Sequence, residues 1–143
     1  MPAAPCAFCR IVAGEASAEI VLRTPQVVGF LDTRPVFKGH VLVVPRDHIP
    51  TLTDLPDELV VPLFTSARAV ARAVQEALGA QGSFVAMNNV VSQSVPHLHV
   101  HVVPRTKGDG LRGFFWPRTK YAGGEAEEYA ARLRQALEGT LPR

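Results

Sequence analysis

The sequence predicts one globular domain that combines β-strands with α-helices, and three observations support this expectation. Short Val-rich runs bounded by Gly, Pro or Asp are typical of strands, and they lie at residues 19–22, 27–31, 38–45 and 83–87. Apolar residues recur at helical spacing over residues 55–78, and a second amphipathic pattern covers residues 125–138. The chain has 143 residues, of which 47% are hydrophobic, so it is long enough to bury a core of its own.

The long helical pattern has recognisable ends. Asp54 is a candidate N-cap, Pro56 lies in the first turn, and Gly79 follows the last apolar residue. Pro62 has no backbone N–H to donate, so we expect it to kink the helix or to separate a first turn from the main body. We expect the apolar stripe to form core or a dimer interface, and it consists of Leu59, Leu63, Ala67, Val70, Ala71, Val74 and Leu78.

The remaining segments are expected to be shorter. Residues 8–12 predict a short helix or a turn, and residues 33–35 predict the turn that follows the second strand. Three consecutive aromatic residues, Phe114, Phe115 and Trp116, are expected to cover the core, which is the commonest use of aromatic side chains. Stacking on a nucleotide base or contact with a partner subunit are the alternatives for these three.

A row of histidines lies between two prolines near the middle of the second half. The alternating residues are His97, Leu98, His99, Val100, His101 and Val102. Because successive side chains of a strand point to opposite faces, we expect a strand from Pro96 to Pro104 with imidazoles on one face and core residues on the other. Packing alone does not explain three titratable rings in one row, since each ring makes its neighbours harder to protonate.

Two kinds of chemistry use such a row. Three histidines can hold a catalytic metal that keeps an open position for water. Alternatively, one neutral imidazole is a nucleophile while its neighbours bind phosphate oxygens. The residues before the row, Ser92, Gln93 and Ser94, favour the second interpretation, because hydroxyls, an amide and backbone N–H groups suit phosphate binding better than metal support.

The only two cysteines form the sequence Cys6-Ala7-Phe8-Cys9. Two cysteines exclude a disulfide framework and fit free or metal-bound thiols in a reducing compartment. The spacing is compatible with a redox pair, half of a zinc site or two buried thiols. A thioredoxin-like pair normally follows a strand in a longer βαβ context, which this position in the sequence does not offer.

The run from His97 to Val103 resembles the signature of the histidine triad (HIT) family, His-φ-His-φ-His-φ-φ with φ apolar, and the resemblance extends over most of the chain. It implies a single HIT domain over residues 1–143, with an α+β fold, an antiparallel sheet of about five strands, two main helices and dimerisation. It also implies nucleotidyl hydrolysis or transfer at the α-phosphate of purine nucleotides, such as phosphoramidates or dinucleoside polyphosphates, through a covalent nucleotidyl-histidine.

The resemblance also implies roles for the histidines and for the serine before them. His99 corresponds to the nucleophile, and His101 would hydrogen-bond the phosphate as negative charge develops. Ser94 corresponds to the serine three residues before the first histidine, and His40 to an upstream histidine that orients the rings. On the residues alone, a histidine at the surface end of a strand is the alternative for His40.

Further positions would contact the nucleotide. Asp32 corresponds to the residue that contacts the ribose hydroxyls, although an Asp that simply forms a turn is an alternative. Gln93 corresponds to the glutamine of the family pattern, and Ser92 stands where a glycine is usual. Asn88 and Asn89 would lie at the end of the preceding strand, within reach of nucleotide oxygens.

The Cys-x-x-Cys sequence resembles that of the zinc-bearing, bacterial-type branch of the histidine triad proteins. Carried over to this sequence, the ligands would be Cys6, Cys9, His48 and His97. Four protein ligands leave no open position, so the implied zinc is structural.

Charge and composition restrict the partners. Lys and Arg are dispersed and the net charge is only +2, so nothing indicates binding to nucleic acid or to an anionic membrane surface. No signal-peptide or membrane-spanning pattern is evident, and we expect a cytoplasmic homodimer that binds a purine nucleotide. Two other functions stay open: a three-histidine metal-dependent hydrolase, and a nucleotide-binding signalling module without turnover.

Overall fold

The computed structural model places a five-stranded antiparallel sheet at the centre of residues 6–111. The strands are β1 (Ile20–Arg23), β2 (Val27–Leu31), β3 (Val41–Pro45), β4 (Gly82–Ala86) and β5 (Val100–Arg105). Their order in the sheet is β1-β2-β3-β5-β4, and every neighbouring pair is antiparallel. The predicted antiparallel sheet of about five strands is confirmed.

The structure describes residues 6–111 and 118–140, and the chain divides into two units, residues 1–109 and residues 110–143. Each unit is described by itself. The expectation that residues 1–143 form one domain stays a prediction. The aromatic residues Phe114, Phe115 and Trp116 lie outside the described residues, so their predicted role stays a prediction too.

The two faces of the sheet bury different sets of side chains. One face packs against helix α2 (Asp57–Leu78), and its buried residues include Val43, Leu98, Val100 and Val102. The opposite face packs against the short helix α1 (Ala7–Val12), and its buried residues are Phe8, Val28, Phe30, Leu42 and Val44. The period-two alternation predicted for the histidine row is therefore confirmed, since Leu98, Val100 and Val102 all join the core on the α2 side.

Helix α2 differs from its prediction at the N-terminus. The helix begins at Asp57 with Pro56 as N-cap, so the predicted cap at Asp54 is wrong. Asp54 instead belongs to a separate 3-10 turn, Leu52–Asp54, where its carboxylate accepts hydrogen bonds from the Thr51 backbone N–H (3.1 Å) and hydroxyl (2.6 Å). The helix also continues through Pro62, so no break separates a first turn from its main body.

The histidine strand is shorter than predicted at its start. β5 begins at Val100, not directly after Pro96, because the preceding backbone bonds elsewhere: the Leu98 N–H donates to the Ile49 carbonyl at 2.7 Å. At the other end the strand includes Pro104, which pairs with Ser83 of β4 beyond the point where the pairing with β3 ends. The strand of residues 38–45 likewise begins at Val41, one residue after His40.

The second unit contains helix α3, Glu125–Leu137, as predicted from its amphipathic pattern. Three acidic residues lie in its first turn and Arg134 lies in its last turn, which suits the helix dipole. The Arg132 guanidinium lies 5.6 Å from the centre of the Tyr129 ring. Within residues 6–111 and 118–140, no helix is both long and apolar enough to cross a bilayer.

Candidate functional site

Four side chains from three parts of the sequence meet at one end of the sheet. Cys6 is the N-cap of α1 and Cys9 lies in that helix, His48 comes from the loop after β3, and His97 from the segment before β5. The Cys6 Sγ atom lies 3.4 Å from His97 Nδ1, and Cys9 Sγ lies 3.3 Å from His48 Nδ1 and 3.5 Å from His97 Nδ1. These four residues are the set predicted to bind zinc.

The donor atoms fit a tetrahedral metal ion. Zinc bonds of ~2.3 Å to sulfur and ~2.0 Å to nitrogen place S and N ligands ~3.5 Å apart in a tetrahedron, close to the S–N separations found here. His97 Nε2 donates to the Pro45 carbonyl at 2.8 Å, which leaves a lone pair on Nδ1 toward the cysteines. A metal-binding histidine typically has such a backbone acceptor on its other nitrogen.

The Cys9 thiol differs in its pKa from the thiols of catalytic redox pairs. Burial, with the neighbouring Cys6 thiol, raises the pKa of Cys9 to about 11. Catalytic redox cysteines instead have lowered pKa values, because the thiolate is the reactive species. Both thiols are free, and the Cys6 sulfur accepts the Cys9 backbone N–H at 3.5 Å, an arrangement that supports a metal-ligand pair.

The middle histidine of the row is fixed in one tautomer. His99 is 3% exposed, and its Nδ1 atom lies 2.7 Å from the main-chain carbonyl of His97. A carbonyl only accepts, so Nδ1 carries the proton and Nε2 keeps its lone pair. The edge of the Phe8 ring packs against the imidazole, with ring centres 5.0 Å apart. In the neutral form of His99, the proton is therefore on Nδ1 and the free nitrogen is Nε2.

A chain of hydrogen bonds fixes the third histidine in the opposite tautomer. The Val36 backbone N–H donates to His40 Nδ1 at 3.1 Å, so the proton of His40 lies on Nε2. His40 Nε2 lies 2.9 Å from His101 Nδ1 and donates to it, which places the His101 proton on Nε2. His101 thus has an N–H available for an oxygen acceptor. His40 is 3% exposed, so the alternative of a surface histidine is wrong.

Both rings of this chain are neutral near pH 7. Burial lowers the pKa of His40, with Asp32 opposing that shift. Burial, together with the neighbouring His99 and His40, lowers the pKa of His101 from 6.5 to about 4. A neutral His101 still offers its Nε2–H, so it can bind a phosphate oxygen as a hydrogen-bond donor without carrying a charge.

The three rings of the row do not converge on a single metal position. His97 faces the cysteines through Nδ1, whereas His101 faces His40. Asp32, His40 and His101 also lie close enough together to be considered as ligands. However, the Val36 N–H leaves His40 with its proton on Nε2, the nitrogen that would have to bind the ion. This geometry disfavours a three-histidine catalytic metal.

A cavity of about 310 Å³ lies beside His99 and His101. Its walls combine apolar side chains with a small number of polar groups, as in many ligand sites. The predicted residues that line it are Asp32, Ser94, His99 and His101. Asp32 also forms the turn expected of it, because its Oδ1 atom accepts the Arg34 N–H at 2.9 Å, and its Oδ2 atom lies 3.8 Å from His40 Nε2.

Sequence reasoning missed the contribution of α1 to this cavity. Phe8 and Ile11 of α1 line it, and so do Ser17 and Ala18, which follow the helix, and Thr33. A signal existed for Phe8, since it lies between the two cysteines, and a metal bound to them would fix the helix that carries it. The other positions show no pattern in the sequence that would set them apart.

The remaining predicted nucleotide ligands lie in the loop before Ser94 and do not line the cavity. Asn89 Oδ1 accepts the Leu52 N–H at 2.7 Å, and Gln93 Nε2 donates to the Pro50 carbonyl at 2.6 Å. Asn88 Nδ2 donates to the Ser92 carbonyl at 3.3 Å, and both residues are exposed. Contact of Asn88 and Ser92 with a nucleotide stays a prediction, whereas the side chains of Asn89 and Gln93 already bind backbone.

The low pKa of His101 can be measured directly. We expect the ring to titrate near 4 instead of 6.5 in a ¹³C NMR titration of labelled histidine, with assignment by His101→Asn. Because the folded pKa lies below the unfolded value, the contribution of His101 to stability is complete above pH 6.5 and is lost as the pH falls toward 4. Asp32→Asn removes a charge that raises this pKa and should lower it further. A midpoint near 6.5 would contradict the assignment.

Comparison with known proteins agrees with this geometry. The family model described as HIT domain matches residues 13–108. The Protein hit of Bacillus subtilis is 39% identical over 114 residues, which are 78% of this chain and 78% of that relative. A crystal structure of a HIT family member from Bacillus subtilis has a TM-score of 0.83 at 33% identity, covering 91% of this chain and 95% of that one. A Zn-bound histidine triad family protein from Mycobacterium smegmatis has a TM-score of 0.72 at 38% identity, and the match covers 92% of this chain and 96% of that one.

Two relatives from Schizosaccharomyces pombe have names that state an activity. The adenosine 5'-monophosphoramidase hnt1 is 32% identical over 114 residues, which are 78% of this chain and 83% of that protein. The asymmetrical bis(5'-nucleosyl)-tetraphosphatase is 36% identical over 94 residues, which are 64% of this chain and about half, 52%, of that protein. With the family model matching well over half of its residues, and with relatives this similar along most of its length, the chain belongs to the HIT family.

Proposed function

We propose that this protein is a nucleotide hydrolase or nucleotidyl transferase that acts at the α-phosphate of purine nucleotides. The observation that carries the proposal is the pair of opposite tautomers in one cavity. His99 has a lone pair on Nε2, and His101 has a proton on Nε2. A nucleophile and a hydrogen-bond donor for the same phosphate are the two groups that nucleotidyl transfer requires.

In the proposed reaction, His99 Nε2 attacks the α-phosphorus, and the bond from phosphorus to the leaving group breaks. The nucleotide is then bound to His99 through a P–N bond, while the Nδ1–H donates to the His97 carbonyl and stabilises the positive charge of the ring. Water attacks the same phosphorus in the second step and loses a proton to the solvent, the electron pair of the P–N bond returns to His99 Nε2, and a nucleoside monophosphate leaves. His101 and the Ser94 hydroxyl donate to the phosphate oxygens in both steps.

The relatives support the substrate class. One is named a monophosphoramidase and another a dinucleoside tetraphosphatase, and both names describe cleavage next to a nucleotide phosphate. The cavity adds apolar walls at Phe8, Ile11 and Phe30, which suit a purine base, and the Asp32 carboxylate, which suits ribose hydroxyls. The proposed partner is therefore a purine nucleotide, and the absence of nucleic-acid and membrane binding stays a prediction.

Activity should depend on His99 far more than on any other residue of the cavity. We expect the wild type to release adenosine 5'-monophosphate from adenosine phosphoramidate or from diadenosine tetraphosphate. His99→Ala should reduce the rate to background, whereas His101→Ala, which removes one donor, should reduce kcat by roughly 10²–10³-fold. Product release followed by liquid chromatography measures both.

The outcomes separate the competing functions. Substantial turnover by His99→Ala would contradict the nucleophile assignment. Binding of adenosine 5'-monophosphate by the wild type without turnover of any tested substrate would favour the non-catalytic signalling module. The folded state of each variant is checked by circular dichroism, so that a loss of rate is not a loss of structure.

We also propose that the chain belongs to the zinc-bearing branch of the family, with structural zinc held by Cys6, Cys9, His48 and His97. The S–N separations near a tetrahedral edge and the free Nδ1 of His97 support this proposal. The Zn-bound relative from Mycobacterium smegmatis adds to it. The ion would hold α1 beside the row of histidines and take no part in the reaction, since four protein ligands leave no open position.

Zinc content should follow these ligands and not the rest of the histidine row. We expect one zinc per chain by atomic emission, and a large loss of zinc affinity together with a lower melting temperature in Cys9→Ala and His48→Ala. His40→Ala and His101→Ala are the matched histidine controls, and they should retain the ion. Loss of zinc in His101→Ala with retention in His48→Ala would instead support a three-histidine metal site.

A homodimer is the proposed assembly. β4 is the last strand of the sheet, and its Val85 is 46% exposed. On α2, which packs against β4, the side chains of Val61 and Phe64 are 67% and 40% exposed. Apolar side chains grouped on one strand and one helix favour burial against a second copy.

We also propose a cytoplasmic location, because neither cysteine forms a disulfide and a reducing compartment keeps thiols in this state. Cell fractionation tests this location.

Sedimentation equilibrium checks the assembly. We expect twice the chain mass of 15.5 kDa for the wild type. Val85→Lys should shift the protein to the monomer, because it places a charge on the proposed interface. Val21→Lys is the control, since Val21 of β1 is 52% exposed at the opposite edge of the sheet. A monomeric wild type, or equal effects of both changes, would contradict the proposed interface.

A further inference from the structure

The loop before the histidine row, residues 88–94, is attached to the segment of residues 48–54 by two side chains. Gln93 Nε2 donates to the Pro50 carbonyl at 2.6 Å, and Asn89 Oδ1 accepts the Leu52 N–H at 2.7 Å. Gln93 Oε1 also accepts the Val90 N–H at 3.1 Å. The amide orientation of Gln93 is fixed by this pair of bonds, because a carbonyl needs a donor and an N–H needs an acceptor.

The loop itself is strained. Val90 and Ser92 have φ values of 69° and 61°, in the left-handed region that disfavours residues with a side chain and especially β-branched ones. A backbone of this kind costs about 1–3 kcal/mol per residue and persists only when surrounding contacts hold it. The side chains of Val90 and Val91 are 75% and 79% exposed, so their own packing does not hold it.

The segment that holds the loop is anchored at its other end by the metal-ligand cluster. It starts at His48, whose Nδ1 atom lies 3.3 Å from Cys9 Sγ. The next residue, Ile49, accepts the Leu98 N–H at 2.7 Å through its carbonyl. The segment ends in the Thr51–Asp54 capping box, which makes it a rigid turn. Contacts therefore run without a break from the cluster to the loop.

We infer that Gln93 is a positioning residue that couples metal binding at Cys6, Cys9, His48 and His97 to phosphate binding at Ser94. Metal at the cluster fixes His48 and the turn after it. The hydrogen bond of Gln93 to this turn then holds the loop that leads into Ser94 in place. Gln93 acts through the backbone and does not touch the phosphate, since both ends of its amide are already bonded. The inference rests on the proposed function, because it takes the bound phosphate to be that of a nucleotide.

Coupling between two sites is a measurable and reciprocal quantity. We expect zinc-loaded wild-type protein to bind adenosine 5'-monophosphate about 10-fold more tightly than zinc-free protein, within the range common for coupled sites. In Gln93→Leu the ratio of the two affinities should fall close to 1. Isothermal titration calorimetry with the mononucleotide, on both metal states of each variant, gives the ratios.

Matched variants separate positioning from direct contact. Asn89→Ala removes the acceptor of the Leu52 N–H and should lower the ratio, whereas Asn89→Asp keeps an acceptor and should retain it. Gln81→Leu is the control for the glutamine change, since Gln81 Oε1 likewise accepts a backbone N–H, that of Lys107, at 2.7 Å. If Gln93→Leu weakened binding equally in both metal states, Gln93 would be a direct ligand and the inference would be overturned.

A second experiment does not need zinc-free protein. It therefore stays informative if removal of zinc unfolds the chain. His48→Cys keeps a protein ligand at the metal but shortens its reach. We expect it to weaken mononucleotide binding at least 3-fold in the wild-type background and to have no further effect in the Gln93→Leu background. Additive effects in this zinc-loaded double-mutant cycle would overturn the coupling.

Failure of the proposed function is distinguishable from failure of this inference. If zinc-loaded wild type does not bind the mononucleotide, the proposed function fails, and hydrogen exchange then tests the coupling itself. Exchange of the Val90 and Leu52 amides should accelerate at least 10-fold in Gln93→Leu and in zinc-loaded His48→Cys, but not in Gln81→Leu. Unchanged exchange in either of the first two variants would overturn the inference.

Discussion

The site depends on the contacts that the buried ring of His97 makes on both of its nitrogen atoms. Its Nε2 atom is bonded to the Pro45 carbonyl at the end of β3, and its Nδ1 atom faces both cysteines of α1. Its own carbonyl accepts the Nδ1–H of His99. One residue with no exposed surface thus joins the sheet, the helix that covers it and the ring of His99. A polar group placed this deeply is tolerable only because each of its atoms has a partner.

The repeating patterns of the sequence were sufficient to predict most of the fold. Period two in residues 97–102 placed the histidines and the core residues on opposite faces, and helical spacing located α2 and α3. The same strict alternation indicated a chemical role for the row of histidines, and the resemblance to the histidine triad signature implied that His99 is the nucleophile. Local periodicity was enough to predict a strand or helix wherever burial of apolar side chains determines its position.

The sequence does not show which hydrogen-bond partner a polar side chain selects. Asp is a residue type typical of helix N-caps, yet the Asp54 carboxylate binds Thr51 three residues earlier, and the helix starts without it. The Gln93 amide is a group that suits phosphate binding, yet it donates to the carbonyl of Pro50, a residue 43 positions away in sequence. Both choices depend on distances between segments, which no local pattern encodes. Phe8 was missed for the same reason, since only the folded helix brings it to His99.

The hydrogen bonds from Val36 to His101 have a direction, and that direction limits what the site can do with protons. The first donor is a backbone amide, which neither gains nor loses a proton at ordinary pH, so neither imidazole can pass a proton along the chain to solvent. The two rings therefore present one fixed donor and do not act as an acid or base. The proton needed by a departing group must arrive by another route. In the proposed reaction, a leaving group that departs as an anion, such as a polyphosphate, would need no proton from these two rings.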